Sequence, residues 1–156
     1  MTVRFEVLSP LELSLHRESF ALADPTLLEP TNPSRLYQGE WLELTTGNYL
    51  ARKSSGGSDH PMFYACIDDE SGYDSRALGK VSVIMNSFVF RTQLFDANHA
   101  PATIGAACYV GAIAYPAGGE VKRMILDDHT AGGTVAVARV IQPPSGGWLK
   151  AIRIFV

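Results

Sequence analysis

The chain has 156 residues, 46% of them hydrophobic, and a formal net charge of −3. That length suits a single domain, which buries roughly 70% of the surface its unfolded chain exposes, and the apolar content excludes a chain disordered throughout. The acidic balance argues against a nucleic-acid partner, which needs a basic face, and no run approaches the ~20 apolar residues of a membrane helix.

Charge is unevenly placed. Residues 1–50 carry Glu6, Glu12, Glu18, Asp24, Glu29, Glu40 and Glu43 against Arg4, Arg17 and Arg35, whereas no acid follows Asp128. Charged residues are only 19% of the chain, below the usual quarter, as on a surface that partners cover. Small polar side chains on the outside of a β-protein give the same figure. MTVRFEVLSP has no basic region followed by an apolar run, so no signal peptide is read there and synthesis is expected in the cytoplasm. Cys66 and Cys108 both sit in apolar runs and are expected as buried free thiols rather than a disulfide.

In chain order, Val3, Phe5 and Val7 alternate with Arg4 and Glu6, which predicts a half-buried strand. Pro10, Pro25, Pro30 and Pro33 then interrupt any regular element, so 9–34 reads as an irregular arm. Its Leu11, Leu13, Leu15, Phe20, Leu22, Leu27 and Leu28 need a surface to lie against, and they are the candidate partner-binding residues. From Leu36 onward short strands alternate with turns. WLEL and Tyr49–Ala51 flank Thr46-Gly47-Asn48, whose Gly and Asn suit a tight turn with positive φ. Met62–Ile67 reads as a strand buried on both faces and Asp68–Leu78 as a polar loop.

VSVIM and FVFRTQLF flank Asn86-Ser87, which predicts a two-residue hairpin with Phe88, Phe90 and Phe95 in the core. Cys108–Tyr115 and Val121–Leu126 follow around Ala117-Gly118-Gly119, then Thr134–Ile141 and Trp148–Val156 around residues 142–147. Strands of this length and spacing predict an all-β fold, a single antiparallel barrel or sandwich of the tulip or jelly-roll kind. The division expected is an N-terminal strand and arm, 1–35, and a barrel, 36–156.

Nothing in the chain forms a catalytic motif. Asp127-Asp128-His129 is the most ligand-like cluster, yet consecutive turn residues rarely converge on one ion, and a solvated turn is expected; Asp68-Asp69-Glu70 is read the same way. His16, His60 and His99 read as turn or surface residues, and a His99–Cys108 dyad needs a spatial coincidence. The glycine pairs at 56–57, 118–119, 132–133 and 146–147 lie between strands, not before helices, so they are turn glycines and not phosphate cradles. Trp41 and Trp148 suit stacking on a sugar or a second chain, and both equally suit a core position, which is the reading preferred here.

The rhythm of the body resembles one family. Leu36–Glu40 (LYQGE) leads into WLEL, followed by GKVSVIMNSFVFRTQLFD, TIGAACYVG, GGTVAVARVI and WLKAIRIFV. Over Leu36–Val156 this is similar to the small β-barrel decoration, or cement, proteins of tailed-phage capsids. The resemblance implies a structural protein of the virion exterior, with no enzymatic activity, metal or cofactor. It implies the major capsid protein as partner, bridging of capsomers, and self-association as a homotrimer. The alternatives are a ligand- or carbohydrate-binding barrel using Trp41, Trp148 or Tyr73, a tail or head-completion protein, and a small hydrolase or metal enzyme built on Asp127, Asp128 and His129.

Overall fold

The computed structural model describes residues 3–10, 17–58, 63–66 and 79–153. Within them the chain is built of strands, with a single 3-10 turn at Pro25–Leu28. The expected all-β barrel or sandwich class holds, and it is built as two curled, largely antiparallel β-units.

The first unit is a seven-stranded sheet. Strands β1 (Phe5–Pro10), β8 (Phe88–Thr92), β12 (Trp148–Arg153), β11 (Ala138–Ser145), β9 (Ala107–Ala114) and β10 (Lys122–Asp127) lie side by side in that order. The short β5 (Gly56–Gly57) pairs with β9. The second unit is a closed ring, β2 (Arg17–Leu22), β4 (Tyr49–Ala51), β3 (Trp41–Leu44), β6 (Phe63–Cys66) and β7 (Lys80–Ile84), in which β2 and β4 run parallel.

Alternation along each strand sorts side chains between inside and outside. On β8 Phe88, Phe90 and Thr92 point inward, and on β12 Leu149, Ala151 and Arg153 do so. These join Phe5, Cys108, Val110, Met124, Leu126 and Val140 in the core of the first unit. Trp41 and Ile84 from the ring reach into the same core. Phe88 and Phe90 are fully buried, each burial stabilising by roughly 1.5–3 kcal/mol. The ring has its own core of Leu22, Leu27, Leu28, Leu36, Leu42, Leu50, Val81 and Val83.

Three hairpins expected from sequence are present. β3 and β4 pair around Gly47 (φ +92°) and Asn48 (φ +65°), β9 and β10 around residues 115–121, and β11 and β12 around Gly146-Gly147. A fourth is not. β7 and β8 do not pair: β7 lies between β2 and β6 in the ring, and β8 between β1 and β12 in the sheet. A two-residue hairpin turn needs positive φ at its central residues, and neither Asn86 nor Ser87 has it. The chain instead passes from one unit to the other there, carrying Val81 and Val83 into one core and Phe88 and Phe90 into the other.

The arm expected over residues 9–34 is also revised. β1 is an edge of the seven-stranded sheet and β2 completes the ring between β7 and β4. The 3-10 turn is capped by Asp24, whose carboxylate accepts from the Thr26 amide at 3.1 Å, and it buries Leu27 and Leu28. The segment before residue 35 supplies one strand to each unit. Gly56–Gly57, expected as a turn, forms β5.

Candidate interaction surface

Sequence reasoning placed the partner contacts on the apolar residues of the N-terminal segment. In the structure Leu22, Leu27 and Leu28 are 3–8% exposed and belong to the core of the ring, with the half-buried Phe20 packed against it. Their apolar surface is spent within the chain, because the strand and turn that carry them close the ring. Leu11, Leu13 and Leu15 lie outside the described residues, as do His16, His60, Asp68-Asp69-Glu70 and Tyr73.

The chemical candidates separate in the same way. Asp128 and His129 are exposed, as a turn requires, but Asp127 is fully buried. Its Oδ2 accepts from the Ala131 amide at 2.7 Å, and burial pushes its carboxyl above the ordinary range. Asp128 Oδ1 accepts from the Thr130 amide and hydroxyl, so the two carboxylates brace the loop that follows β10. His129 packs edge-on against Tyr109, centroids 4.6 Å apart. Among the described residues no three His, Cys, Asp or Glu side chains gather as metal ligands. His99 is an exposed side chain 3.2 Å from Asp96, whereas Cys108 is fully buried and burial pushes its thiol up to about 12. A thiol of that pKa supplies no thiolate nucleophile near neutral pH. Cys108 is a free, buried cysteine, as expected.

Between the two units sits a polar cluster that the sequence did not announce. Glu40, just before β3, is fully buried. It accepts from Arg52 at both oxygens, 2.6 Å from Nε and 2.9 Å from Nη2, and from the Tyr37 amide at 3.0 Å. Arg123 of β10, 1% exposed, stands with Nε 3.9 Å from the same carboxylate. Its guanidinium lies 3.8 Å from the Tyr37 ring centroid, and that of Arg4 lies 3.7 Å from it. Arg52 and Arg123 also donate to the carbonyls of Pro33, Ser34 and Arg35. Burial pulls the Arg123 pKa down and Glu40 opposes that pull. A second tie runs from the Ser58 hydroxyl to the Glu43 carboxylate, both buried. One buried carboxylate thus faces two guanidiniums, and although Arg123 Nε keeps no hydrogen-bond partner, the contacts join both units and the cluster reads as a clasp between them.

Among the described residues, four of the five large exposed hydrophobics lie with the seven-stranded sheet. The exposed large aliphatics Val3, Leu8, Ile104 and Ile141 lie on its strands or its flanking segments, and Ile104, in the loop between β8 and β9, is 76% exposed. Arg139 Nη1 and the Val140 amide-bearing strand hold that loop, through Gly105 O (3.3 Å) and, from Gly105 N–H to Val140 O, at 2.8 Å.

Trp41 and Trp148 part company. Trp41 is 1% exposed in the core, as preferred from sequence. Trp148, for which a core position was also preferred, is half-buried on the outer face, because on β12 the alternate residues Leu149 and Ala151 take the inward positions. It lines a groove of about 510 Å³ with Glu6, Leu8, Arg91, Gln142 and Lys150. The Arg91 guanidinium stacks 4.2 Å from the Trp148 ring centroid and Arg91 Nε pairs with Glu6 at 2.7 Å. That pairing holds the Glu6 carboxyl below its ordinary range. The sequence signal for this site was the lone Trp at a strand start; its partners come from four separate strands.

No protein-family model, curated protein or solved structure matches the chain.

Proposed function

We propose that this chain is a structural component of a virion, a decoration protein that docks on the outer surface of a capsid and bridges neighbouring subunits of the major capsid protein. The observation that supports this reading is the gathering of exposed aliphatics on one unit. Among the described residues, Val3, Leu8, Ile104 and Ile141 belong to the seven-stranded sheet or its flanking segments, and Tyr49 belongs to the ring. Ile104 in particular presents a large apolar side chain at a loop tip where the fold gains nothing from it. Such residues are suited to anchoring a partner.

Because the N-terminal segment is invested in both units, docking on this reading passes from an arm to the sheet. The clasp around Glu40 holds the two units together, so that a load taken by one is shared by the other. Self-association, as a trimer on symmetry axes of the shell, would multiply modest contacts.

Co-sedimentation of the purified protein with expanded, undecorated capsids tests the reading. Wild-type protein is expected to saturate the shell in proportion to its capsid subunits. Ile104→Asp is expected to weaken binding by about tenfold, which corresponds to ~1.4 kcal/mol. Absence of wild-type binding removes the reading, and binding of only a few copies per particle replaces it with a tail or head-completion role.

A further inference from the structure

The geometry points to a saccharide-binding groove on the outer face of the seven-stranded sheet, centred on Trp148. The site does not depend on the capsid reading.

Its frame is a row of side chains across four strands. In register, Glu6 of β1 stands beside Arg91 of β8, Arg91 beside Lys150 of β12, and Lys150 beside Gln142 of β11. Three inter-strand steps make this row roughly 14 Å long. Each of these side chains lines the groove, with Trp148 and Leu8 alongside. The volume of about 510 Å³ falls in the range of small-molecule sites, ~300–1,000 Å³.

The chemistry of the row selects the ligand class. Glu6 accepts hydrogen bonds, Arg91 and Lys150 donate them, and the Gln142 amide does both. The Trp148 indole, one face of which Arg91 covers, adds an apolar aromatic surface beside them. A pyranose ring has this same mixture: C–H faces for an aromatic plane, and a rim of hydroxyls that donate and accept. The Glu6–Arg91 pair at 2.7 Å and the Arg91–Trp148 stack at 4.2 Å fix three members of the site against one another before any ligand arrives. That preorganisation lowers the ordering cost of binding. A peptide is the poorer fit, because strand addition works through main-chain hydrogen bonds at a sheet edge, whereas this groove presents side chains on the sheet's face.

Charge refines the class. Glu6 and Arg91 cancel, which leaves Lys150 as one net positive charge in the lining. A saccharide bearing uronic acids therefore binds more tightly than a neutral one of equal length.

Tryptophan emission reads the site directly. The chain holds two tryptophans, and Trp41 is sealed in the core at 1% exposure, so a ligand-dependent change reports Trp148. Titration of the intact protein with maltohexaose, cellohexaose and hexagalacturonate, repeated by calorimetry, is expected to show saturable binding, with the uronate the tightest by about threefold or more. Trp148→Ala is expected to abolish it. Gln142→Ala, an exposed change that spares the core, is expected to weaken it by about fivefold, and Lys150→Glu to reverse the preference for the uronate. No saturable binding of any of the three at about 10 mM overturns the inference, as does binding that survives both Trp148→Ala and Gln142→Ala. Capsid co-sedimentation measured on the same preparations keeps a failure here distinct from a failure of the docking reading.

Discussion

Arg52 grips Glu40 with two parallel hydrogen bonds, 2.6 Å and 2.9 Å, although the carboxylate is fully buried and the guanidinium almost so. The contact spans twelve positions of sequence and joins the entry to β3 with the exit from β4. A buried pair of this kind is costly to break from one side, because the surviving charge is left without its partner. Glu40→Ala would strand Arg52 and leave Arg123 without its facing carboxylate. It is expected to cost about 3–5 kcal/mol, read as a lower urea midpoint with little change in slope. A loss under about 1 kcal/mol would mean that the clasp contributes no more than a surface ion pair.

Close approach of backbone to ring gives a second expectation. Gly39 has φ +92°, and a Cβ placed there would lie 2.5 Å from Phe5 Cγ. Phe5 is 4% exposed and in contact with Phe88 and Phe90, so it has little room to retreat. Gly39→Ala combines left-handed backbone strain with overpacking and is expected to destabilise by about 1–3 kcal/mol. Thermal unfolding of Gly39→Ala beside Gly118→Ala, whose surroundings are open, separates the two contributions: both sites carry positive φ, and only the first carries the clash.

Asp127 makes stability depend on pH with an inverted sign. Burial first, then Asp128 and Asp96, raise its pKa, against the opposing amides of Ala131 and His129. The folded state thus holds the proton more tightly than the unfolded chain does. Ionised Asp127 lowers stability near neutral pH, and this deficit is recovered as pH falls through the raised pKa toward the ordinary carboxylate value. Asp127→Asn keeps an acceptor for Ala131 and removes the charge. Its Tm is expected above wild type at pH 7, with the gap closing near pH ~4. A variant less stable than wild type at every pH would show that the charge itself holds the loop.

Removal of residues 1–34 provides a coarser test. The segment supplies β1, β2 and three leucines of the ring core. The truncated chain is expected to lose cooperative unfolding and the dispersed amide spectrum of a folded β-protein. A truncated protein that folded would show the ring to be dispensable.

That last expectation reverses what the sequence suggests, and the reason is physical. Local chemistry was legible: Gly47-Asn48 and Gly146-Gly147 set their turns by backbone preference, and three hairpins follow from such signals. Asn86-Ser87 looks alike, but there the decision belongs to distant partners. β2 and β6 claim β7, while β1 and β12 claim β8. The prolines of residues 9–34 likewise break regular periodicity without preventing a short strand and a capped turn from filling the ring. For the surface site, Trp148 was visible as an aromatic at a strand start, yet its outward placement rests on inter-strand register. Glu6, Arg91, Lys150 and Gln142 are separated by up to 144 residues, and nothing in their own neighbourhoods marks them as a set.

The central place of β8 has a mechanical consequence. Phe5 and Leu149 both stand opposite Thr92, and Pro10 and Arg153 both stand opposite Phe88, so β1 and β12 run the same way on either side of one strand. A pull applied between Phe5 and Arg153 acts along the strands, while the hydrogen bonds lie across them. Those bonds are loaded together in shear and cannot open one after another like a zip. Stretching single molecules from these two points is expected to give one high force peak, and a train of low peaks would refute it. Were the chain the capsid component proposed above, a coat under internal pressure would gain most from such a part, which yields all at once or not at all.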